Sequence, residues 1–309
     1  MTWNTNDIPD LGGKVAVITG ANGGLGLASA KALATKGAHV VMAARNQDKA
    51  AAARTEILAS VPDASLEIVE LDLETLASVE AAAAEILSAH DRLDILMCNA
   101  GVMAIPQATT EDGFDSQFAV NVLGHWALIG RLMPLILTTP GARIVTLSST
   151  AQHVGRAIDV DDPHMSEGYD AWSMYGQTKL AMRHLAVGLQ ERFDAAGVDA
   201  KALSAQPGLT NSDLQTTTQS HGGAGVLGAL AEPMTKVVGM STERGALSQL
   251  RAATDPDAPG GGFYGPLFAT FGPPVRKPLV RPGGNAAVEA LWSVGERETG
   301  VSIDIGSGD

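Results

Sequence analysis

Short apolar runs alternate with longer stretches of helical pattern along the first two thirds of the chain. KVAVIT (14–19) and HVVMAA (39–44) are continuous apolar runs, a pattern typical of parallel strands that are covered on both faces. SLEIVEL (65–71) alternates between apolar and polar residues, which indicates a strand nearer the sheet edge. Three later runs are also predicted to be strands: LDILMC (93–98), ARIVTL (142–147) and VDAKALSA (198–205).

Helices are predicted between these strands. The stretch LGLASAKALATKG, after the first strand, predicts a helix that ends at Gly37. The alternation predicts a three-layer α/β fold, in which helices cover both faces of a doubly wound parallel sheet, as one domain over residues 1–309. The remaining predicted helices cover about 48–60, 74–89, 114–137, 173–196 and 284–296.

Three segments interrupt this rhythm. Residues 150–170 hold a cluster of Asp, residues 209–240 mix Thr, Gly and apolar side chains, and residues 254–284 are dense in Gly and Pro. Loops at the carboxyl ends of the strands build the site in open α/β folds, so we expect these segments to be loops that cover a substrate. The patches GVLGAL and PMTKVVGM in the second segment favour a hydrophobic substrate.

Charge and cysteine content narrow the class of protein. The formal net charge is −13 and the Lys and Arg residues are scattered, which argues against a nucleic-acid or anionic-membrane partner. The single cysteine, Cys98, fits a reducing compartment, and we expect it to be a buried, unreactive side chain. The N-terminus, MTWNTNDIPD, is unlike a signal peptide. We therefore expect a soluble, cytoplasmic protein.

One apolar region is long enough to need its own interpretation. Residues 118–137 are largely apolar but include Asn121, His125 and Arg131, and Pro134 lies near their end. These residues favour a buried helix followed by a turn over a membrane-spanning helix.

A glycine-rich turn, TGANGGLG (19–26), lies directly between the first strand and its helix. Glycines there let the backbone turn sharply and approach a pyrophosphate, which the positive N-terminus of the helix attracts. The spacing places Gly20, Gly24 and Gly26 differently from the common G-x-G-x-x-G fingerprint. The position after a first strand predicts a nucleotide site, with an ordinary tight turn as the alternative.

The end of the second strand bears on which dinucleotide is bound. An acidic residue there would hold the ribose 2′-hydroxyl of NAD, but this chain has Ala43, Ala44 and Arg45. Since a guanidinium binds a 2′-phosphate well, NADP is favoured and NAD remains the alternative. Arg45 is equally compatible with an ordinary solvent-facing side chain, and the glycine turn has no basic residue.

The segment YGQTK places a phenol and an ammonium group one helical turn apart. Tyr175 and Lys179 are four residues apart, so their heads share a face of the predicted helix. A free phenol, with a pKa of about 10, exchanges its proton too reluctantly near neutral pH. Because a nearby cation lowers the pKa of a phenol, we predict that Tyr175 is a general acid/base tuned by Lys179. The alternative is an unrelated surface pair.

These motifs occur in the order found in a known family. TGANGGLG, CNAG (98–101), a helix with an Asn, LSS (147–149), YGQTK and PG together resemble the short-chain dehydrogenase/reductase family over about residues 12–210. AARN, the long gap before the Tyr and GGFYGP (261–266) resemble its retinol-dehydrogenase-like, WW-domain-oxidoreductase-like branch. The resemblance implies a Rossmann-type sheet of about seven strands, NAD(P) binding, and hydride transfer between the cofactor and a carbonyl or alcohol.

The resemblance also assigns roles. It implies that Ser149, rather than Ser148, acts on the substrate oxygen, and that Lys179 also binds the nicotinamide ribose. Asn121 would hold a water that connects Lys179 to solvent, although a buried amide satisfied by the backbone is equally common. The predicted catalytic residues are Asn121, Ser149, Tyr175 and Lys179. The predicted cofactor-binding residues are Gly20, Asn22, Gly24, Leu25, Gly26, Arg45, Asp72, Leu73, Asn99, Gly101, Tyr175, Lys179, Pro207, Gly208 and Thr210.

Several of these residues have a second interpretation. Asp72 is predicted to accept from the adenine amino group with Leu73 packed nearby, or to be the N-cap of the next helix. Ser149 at its strand end is also placed to cap the following loop. His125 is interpreted as a core or helix-surface residue rather than an acid/base group. No metal centre is predicted, because the seven histidines are dispersed along the sequence.

The sequence therefore predicts an NADP-preferring oxidoreductase that acts on a hydrophobic carbonyl or alcohol, such as a retinoid, steroid, lipid aldehyde or xenobiotic ketone. One alternative is a non-catalytic NADP-binding sensor or scaffold. Another is a sugar-nucleotide epimerase or dehydratase of the same fold. The resemblance allows a homodimer or homotetramer through helices near 114–133 and 173–196.

Overall fold

The computed structural model describes residues 2–210, 240–278 and 283–306. Within that part of the chain, eight strands form one sheet in the order β3-β2-β1-β4-β5-β6-β7-β8. The strands are β1 Val15–Thr19, β2 His39–Ala44, β3 Leu66–Glu70, β4 Ile95–Cys98, β5 Ala142–Leu147, β6 Ala200–Ala205, β7 Phe263–Pro266 and β8 Pro274–Lys277. The helices are α1 Gly24–Thr35, α2 Gln47–Ser60, α3 Leu76–Ala89, α4 Ser116–Thr138, α5 Ala171–Ala196, α6 Thr242–Thr254 and α7 Gly284–Thr299.

The sheet reverses its winding direction next to its first strand. Strands β1 to β3 run outward on one side, whereas β4 to β7 run outward on the other, so β1 has β2 and β4 as neighbours. All of these pairings are parallel, and only β8 is antiparallel to its neighbour among the described strands. Ligands bind in the crevice where the strand order reverses in this architecture, so the carboxyl ends of β1 and β4 mark the site. The predicted doubly wound α/β fold is confirmed.

Two apolar cores cover the two faces of the sheet. The continuous runs of β1, β2 and β4 are buried along nearly their whole length, whereas the alternating run of β3 is only partly buried at the edge. Val17 and Val41 face the core that includes Trp126 and Leu185 from α4 and α5. Ile18 belongs to the opposite core, beneath α1, α2 and α6. Burial on both faces explains why the strands have the unbroken apolar pattern used to predict them.

The prediction that 254–284 is a loop is wrong for its central part. Phe263–Pro266 extends the sheet beside β6, and Pro274–Lys277 pairs with it in an antiparallel hairpin. The sheet therefore has one strand more than the seven that the resemblance implies. These strands are four residues long and contain Pro or Gly, so they lack the apolar run that marks the other strands.

The long apolar helix α4 lies in the core of the protein. In the part of the chain that the structure describes, Ser116–Thr138 is the one helix apolar and long enough to cross a membrane, and 78% of its most apolar window is buried inside the protein. The predicted helix over about 114–137 and the turn after it are confirmed, because the helix continues through Pro134 and ends at Thr138. Burial of Leu132, Met133 and Ile136 around the proline outweighs the one backbone hydrogen bond that proline removes.

Helix α7 covers the helices that the resemblance implies as subunit contacts. Trp292 of α7 packs edge-on against Trp126 of α4, with ring centroids 5.0 Å apart. The same indole lies so close to Gly188 of α5 that a Cβ at that position would collide with it. These outer faces of α4 and α5 are thus occupied by the chain's own C-terminal helix.

Candidate active site

The glycine turn after β1 has the geometry of a phosphate-binding loop. Gly20 and Gly24 have φ of 67° and 51°, in the left-handed region that favours glycine. A Cβ at Gly26 would collide with the carbonyl of Gly20 and lie 2.7 Å from Nδ2 of Asn99, so the helix can approach the loop only with glycine there. The N-cap of α1 is Gly23, so α1 begins without a capping side chain at that position. Its first amide groups therefore suit a phosphate, and the residues present fit a dinucleotide.

Asn99 joins the loops that follow β1 and β4. Its side-chain amide donates to the backbone carbonyl of Thr19 at 2.9 Å. Its Oδ1 accepts a hydrogen bond of 3.1 Å from Gln249 of α6. Asn22 and Leu25 are half-buried at the same turn. Three segments distant in sequence are thus held together around the predicted pyrophosphate position.

Arg45 lies at the end of β2 and shares its guanidinium with two carboxylates. Its Nη1 lies 3.3 Å from Oε2 of Glu74 and 3.6 Å from Oδ2 of Asp72, and its side chain is 57% exposed. A 2′-phosphate at this position would therefore compete with two acids for the same cation. Solvent access leaves the guanidinium free to turn toward such a ligand.

Asp72 and Leu73 occupy the loop between β3 and α3. The alternative prediction that Asp72 is the N-cap of α3 is wrong, since Thr75 caps that helix and Asp72 accepts from the backbone amide of Glu74 at 3.0 Å. Leu73 is buried, and its backbone carbonyl would lie 2.6 Å from a Cβ at Gly124. Glycine at position 124 therefore lets this loop pack directly on α4.

Tyr175 and Lys179 are buried together on one face of α5. Their exposed fractions are 4% and 5%, which contradicts the alternative of an unrelated surface pair. Nζ of Lys179 lies 5.5 Å from the ring centroid of Tyr175 and 3.4 Å from the backbone carbonyl of Leu147. A Cβ at Gly101 would lie 3.1 Å from that Nζ, so glycine lets the loop after β4 pass directly over the amine. The pair thus lies beside the loops that follow β4 and β5.

Burial governs the protonation of both groups. It raises the pKa of Tyr175 to about 12, although a hydrogen bond with Ser149 partly opposes this. It lowers the pKa of Lys179 to about 8, because the charged amine loses solvation. The predicted lowering of the pKa of the phenol by the neighbouring cation is therefore wrong for this structure, since the cost of burying a phenolate dominates.

The two serines at the end of β5 point in different directions. Ser148 donates to the backbone carbonyl of Lys179 at 2.7 Å, so its hydroxyl anchors α5 to the sheet. Ser149 hydrogen-bonds with Tyr175 and also accepts from the backbone amide of Ala151 at 3.3 Å. Because successive strand residues face opposite sides, only Ser149 reaches the phenol. Ser149 thus lies beside Tyr175, as predicted for a catalytic residue, and it also caps the following loop, as the alternative predicted.

Asn121 is buried in a π-helical turn, Ala119–Leu123, inside α4. Its Oδ1 accepts from the backbone amide of Val102 at 2.8 Å, and its Nδ2 donates to the carbonyl of Val102 and to Oγ1 of Thr178. The alternative of an amide satisfied by protein groups is the one seen here. A water-holding role for Asn121 stays a prediction. Isolated π-turns of this kind are frequent at functional sites.

Thr19 and His125 form a buried network that the sequence interpretation missed. The hydroxyl of Thr19 accepts from the backbone amides of Asn99 and Ala100, each at 2.9 Å, and it lies 2.9 Å from Nε2 of His125 and 3.5 Å from the backbone carbonyl of Met97. Nδ1–H of His125 then donates to the backbone carbonyl of Asn121 at 3.3 Å. Burial lowers the pKa of His125 to about 4, which keeps the ring neutral.

This network connects the glycine turn, the loop after β4 and the π-turn of α4. The interpretation of His125 as a core residue agrees with its full burial. Two signals in the sequence point to the network: a threonine that ends an apolar strand, and a histidine four residues after Asn121 in an apolar helix. Neither signal is specific enough to have identified it.

The segment after β6 meets the hairpin between β7 and β8. Gly208 has a φ of 76°, and a Cβ there would lie 2.6 Å from the carbonyl of Thr270 in the hairpin. The same carbonyl accepts from the backbone amide of Leu209 at 2.9 Å. Pro207 precedes this turn, and the buried Thr210 packs against Gly245 of α6. Most of the predicted cover 209–240 lies outside the described residues, including GVLGAL and all of PMTKVVGM except its last residue, Met240.

Exposed apolar side chains lie close to these loops. Phe268 and Phe271 at the hairpin tip are 60% and 50% exposed, with ring centroids 5.1 Å apart. Trp172, 39% exposed, packs edge-on against Tyr175 at 6.1 Å. We call these three exposed aromatic side chains the apolar rim of the candidate site.

The inserted segment 150–170 packs mainly against helices. The side-chain amide of Gln177 in α5 donates to the carbonyl of Pro163 at 2.8 Å, and His164 lies 3.3 Å from Glu298 of α7. The prediction that this segment covers the substrate stays a prediction. Cys98, at the end of β4, is buried, and burial raises the pKa of its thiol, as expected for an unreactive side chain.

Comparison with known proteins places these features in a family. The family model for short chain dehydrogenases matches residues 14–222. A short chain dehydrogenase/reductase from Colletotrichum higginsianum is 36% identical over 82% of this chain and 66% of its own length. Retinol dehydrogenase 13 from Homo sapiens is 38% identical over 68% of this chain, and the match spans 63% of that protein. The chain thus spans somewhat less than two thirds of the length of these two relatives.

Two further relatives match nearly the whole chain. Polyprenol dehydrogenase from Mus musculus is 33% identical over 98% of this chain and 87% of its own length. The crystal structure of an uncharacterized protein from Mycobacterium paratuberculosis is 34% identical, with a TM-score of 0.80 and coverage of 99% of this chain and 100% of that chain. The similarity therefore includes the C-terminal region beyond residue 222.

Proposed function

This chain belongs to the short-chain dehydrogenase/reductase family of oxidoreductases, and from that premise we propose that it transfers hydride between a nicotinamide dinucleotide and a hydrophobic carbonyl or alcohol. The observation that carries the proposal is that the side chains of Tyr175 and Lys179 are buried together on one face of α5, where Ser149 hydrogen-bonds to the phenol. A non-catalytic scaffold has no chemical need for that arrangement.

The dinucleotide would be held by the loops at the carboxyl ends of the strands. The amide groups of the glycine turn would bind its phosphates, and Gly101 lets the loop after β4 come close to Lys179. When bound, the dinucleotide supplies or accepts the hydride. The chain's own residues handle the proton and the charge on the substrate oxygen.

Tyr175 is the proton donor in reduction and the acceptor in oxidation. Its phenol gives its proton to the substrate oxygen as negative charge builds there, and Ser149 donates a hydrogen bond to the same oxygen. A buried phenol with a raised pKa holds its proton until that charge appears. Lys179, whose pKa of about 8 leaves it mostly charged at neutral pH, stabilises the phenolate that results.

NADP is the dinucleotide that the sequence favours, and Arg45 is the basis of that preference. Its guanidinium is accessible at the end of β2, where the ribose of a dinucleotide lies in this architecture. Asp72 and Glu74 weaken the preference by competing for the cation. We therefore expect NADPH to bind more tightly than NADH by a modest factor.

The apolar rim favours a hydrophobic substrate. Phe268, Phe271 and Trp172 expose aromatic surface close to Gly208 and Tyr175, where a substrate would enter. Two relatives are named for retinol and for polyprenol, which are long apolar alcohols. Retinoids and lipid aldehydes are therefore the first compounds to try, followed by steroids and xenobiotic ketones.

The proposal also includes the location and the assembly of the protein. A cytoplasmic protein is supported by the lone, buried Cys98, which suits a reducing compartment. Because α7 packs against α4 at Trp126 and against α5 at Gly188, a homodimer or homotetramer would use surfaces that α7 leaves exposed.

A panel of carbonyl compounds tests the proposed function. Retinal, a long-chain aldehyde, a steroid ketone and a sugar nucleotide are offered with NADPH and NADH in parallel, and loss of nicotinamide absorbance is followed. We expect oxidation of NADPH with at least one hydrophobic carbonyl and none with the sugar nucleotide. Dinucleotide binding without turnover of any carbonyl would support the scaffold instead, and faster use of NADH would overturn the role given to Arg45.

A further inference from the structure

Two histidines and a glutamate converge at the end of the sheet opposite the candidate active site. His39 begins β2, Glu67 lies in β3, and His90 follows the last turn of α3. Nε2 of His39 lies 3.1 Å from Oε2 of Glu67, and Nε2 of His90 lies 2.9 Å from the same oxygen. We call these three residues the His–Glu–His cluster.

The fold explains why residues so far apart in sequence meet. The parallel register pairs Val41 with Glu67, so Glu67 and His39, two residues before Val41, lie on the same face of the sheet. Helix α3 covers that face and ends at His90, which brings its ring to 5.1 Å from the ring of His39. The sequence predicted no metal centre because its histidines are dispersed along the chain. The fold brings two of them, His39 and His90, together.

We propose that the His–Glu–His cluster binds a zinc ion. Two imidazole nitrogens and one carboxylate oxygen, all within 4.8 Å of one another, form a common three-ligand zinc set, with a water completing the tetrahedron. Bonds of about 2.0–2.2 Å to zinc place tetrahedral ligands about 3.3 Å apart, close to the two separations observed. Nitrogen donors disfavour magnesium and calcium, which take oxygen ligands.

Ser65 supports the proposal from outside the ligand set. Its Oγ lies 2.7 Å from Nδ1 of His39. When Nε2 of a histidine binds a metal, its proton lies on Nδ1, and a hydrogen bond from Nδ1–H fixes the orientation of the ring. The serine hydroxyl is an acceptor placed for that bond. Without the ion, Nε2–H of each histidine donates to Glu67 instead.

The cluster is accessible and remote from the chemistry. The side chains of His39, Glu67 and His90 are 28%, 26% and 12% exposed, so an ion can enter from solvent. His39 and Arg45 flank β2 at opposite ends, which separates them by about 20 Å at 3.3 Å per residue. Zinc there would therefore clamp β2, β3 and α3 together without contacting the substrate or the dinucleotide.

Zinc titration of the untagged full-length protein tests the site. After treatment with a chelator and its removal, calorimetry is expected to show one equivalent of Zn²⁺ bound, and Zn²⁺ is expected to raise the melting temperature. His90→Gln and His39→Gln should each abolish this binding. Ser65→Ala should weaken it by about tenfold, since it removes only the group that orients His39. Co²⁺ gives a second readout, because tetrahedral nitrogen and oxygen coordination produces visible absorption bands.

Matched controls separate this cluster from incidental binding. His153→Gln removes an exposed histidine outside the cluster, and Asp161→Asn removes an exposed carboxylate. Both variants should bind Zn²⁺ like the unaltered chain. The proposal is overturned if the unaltered chain binds no Zn²⁺, or if the cluster variants titrate as it does. Oxidation of NADPH is scored separately and should not respond to Zn²⁺ or the chelator, so the outcome is independent of the proposed function.

Discussion

The buried charges at the two ends of the sheet differ in how many partners they have. At the amino end, Asp94 is 6% exposed and accepts from both Nε and Nη2 of Arg92 at 2.7 Å, from Lys14 and from the backbone amide of Val15. At the carboxyl end, Lys179 is as deeply buried, but its amine has one hydrogen bond, of 3.4 Å, to a backbone carbonyl. In the described ranges no carboxylate forms an ion pair with Lys179.

The two buried charges therefore have opposite effects on the stability of the folded protein. Burial alone raises the pKa of Asp94, but the bonds from Arg92, Val15 and Lys14 outweigh it and the pKa is lowered. The charge of Asp94 is therefore favoured by folding. The charge of Lys179 is disfavoured by folding, because the long hydrogen bond to the carbonyl of Leu147 does not make up for the water that the amine loses on burial. A charge kept without a partner at the site lowers stability and is available to a reaction.

Replacing the amine gives the largest expected effect. Lys179→Met should lower turnover by about 100-fold or more, since no cation remains to stabilise the phenolate. The same variant should be more stable at pH 7 by about 1–3 kcal/mol, because a desolvated charge is exchanged for an apolar chain of similar length. Turnover and urea unfolding of the same preparation measure both. A less stable variant would show that the amine has a favourable partner.

The gain in stability of Lys179→Met should depend on pH, because folding lowers the pKa of Lys179. The pKa of Lys179 is about 8 in the folded protein and 10.5 ordinarily, so the unfolded chain binds more protons between these values. The penalty for burying the charge is complete below pH 8 and disappears as the pH rises to 10.5. The stability gap between Lys179→Met and the unaltered chain should narrow over that interval.

The corresponding change at the amino end should have the opposite result. Asp94→Ala leaves Arg92 and Lys14 without their carboxylate and should lower stability by about 3 kcal/mol, whereas turnover per folded molecule stays unchanged. Because folding lowers the pKa of Asp94, its contribution is present above its ordinary pKa of 3.8 and is lost as the pH falls below that value. Urea unfolding at pH 7 and pH 3 measures this. A loss of turnover in the folded variant would contradict the separation of the two ends.

Arg45 is an intermediate case, a charge at the carboxyl end that has acidic partners. Arg45→Ala should raise the KM for NADPH by about tenfold, or ~1.4 kcal/mol, and leave the KM for NADH nearly unchanged. Glu74→Gln is the matched variant, and it should lower the KM for NADPH by releasing the guanidinium. Equal changes in the KM for NADPH and for NADH would contradict the assignment of Arg45 to the 2′-phosphate.

The smallest predicted effect compares exposed apolar residues at the two ends. Phe268→Ser in the hairpin should raise the KM for a hydrophobic substrate by about fivefold, since roughly 1 kcal/mol of apolar contact is lost. Leu87→Ser removes an exposed leucine near the end of α3 and serves as the control, with no expected change in KM. A similar KM for both variants would contradict a substrate path along the hairpin.

The sequence predicted the parts of the molecule where one physical signal dominates. Apolar runs identified β1, β2, β4, β5 and β6, because strands covered on both faces are apolar at nearly every position, with Arg143 of β5 and Lys201 of β6 as partly buried exceptions. The glycine-rich segment identified the turn after β1, where Gly20 and Gly24 do have positive φ. The four-residue spacing placed Tyr175 and Lys179 on one face of their helix. Strands β7 and β8 were missed because their stability comes from pairing at the sheet edge rather than from their own composition.

Properties that depend on several distant residues were not predictable. The raised pKa of Tyr175 follows from burial beneath loops and helices that no local pattern reveals. The meeting of His39 with His90 depends on the register of β3 and on where α3 ends. For the same reason, the partners of Arg45 emerged only from the structure.

The most direct test of the central claim is the turnover of Tyr175→Phe under conditions where dinucleotide binding is verified. The claim is that the buried phenol moves the proton, so the variant should bind NADPH with unchanged affinity, keep its melting temperature within a few degrees, and lose turnover by about 100- to 10,000-fold. NADPH affinity is measured by fluorescence and turnover with a carbonyl that the unaltered enzyme reduces. Full turnover by the variant would contradict the account.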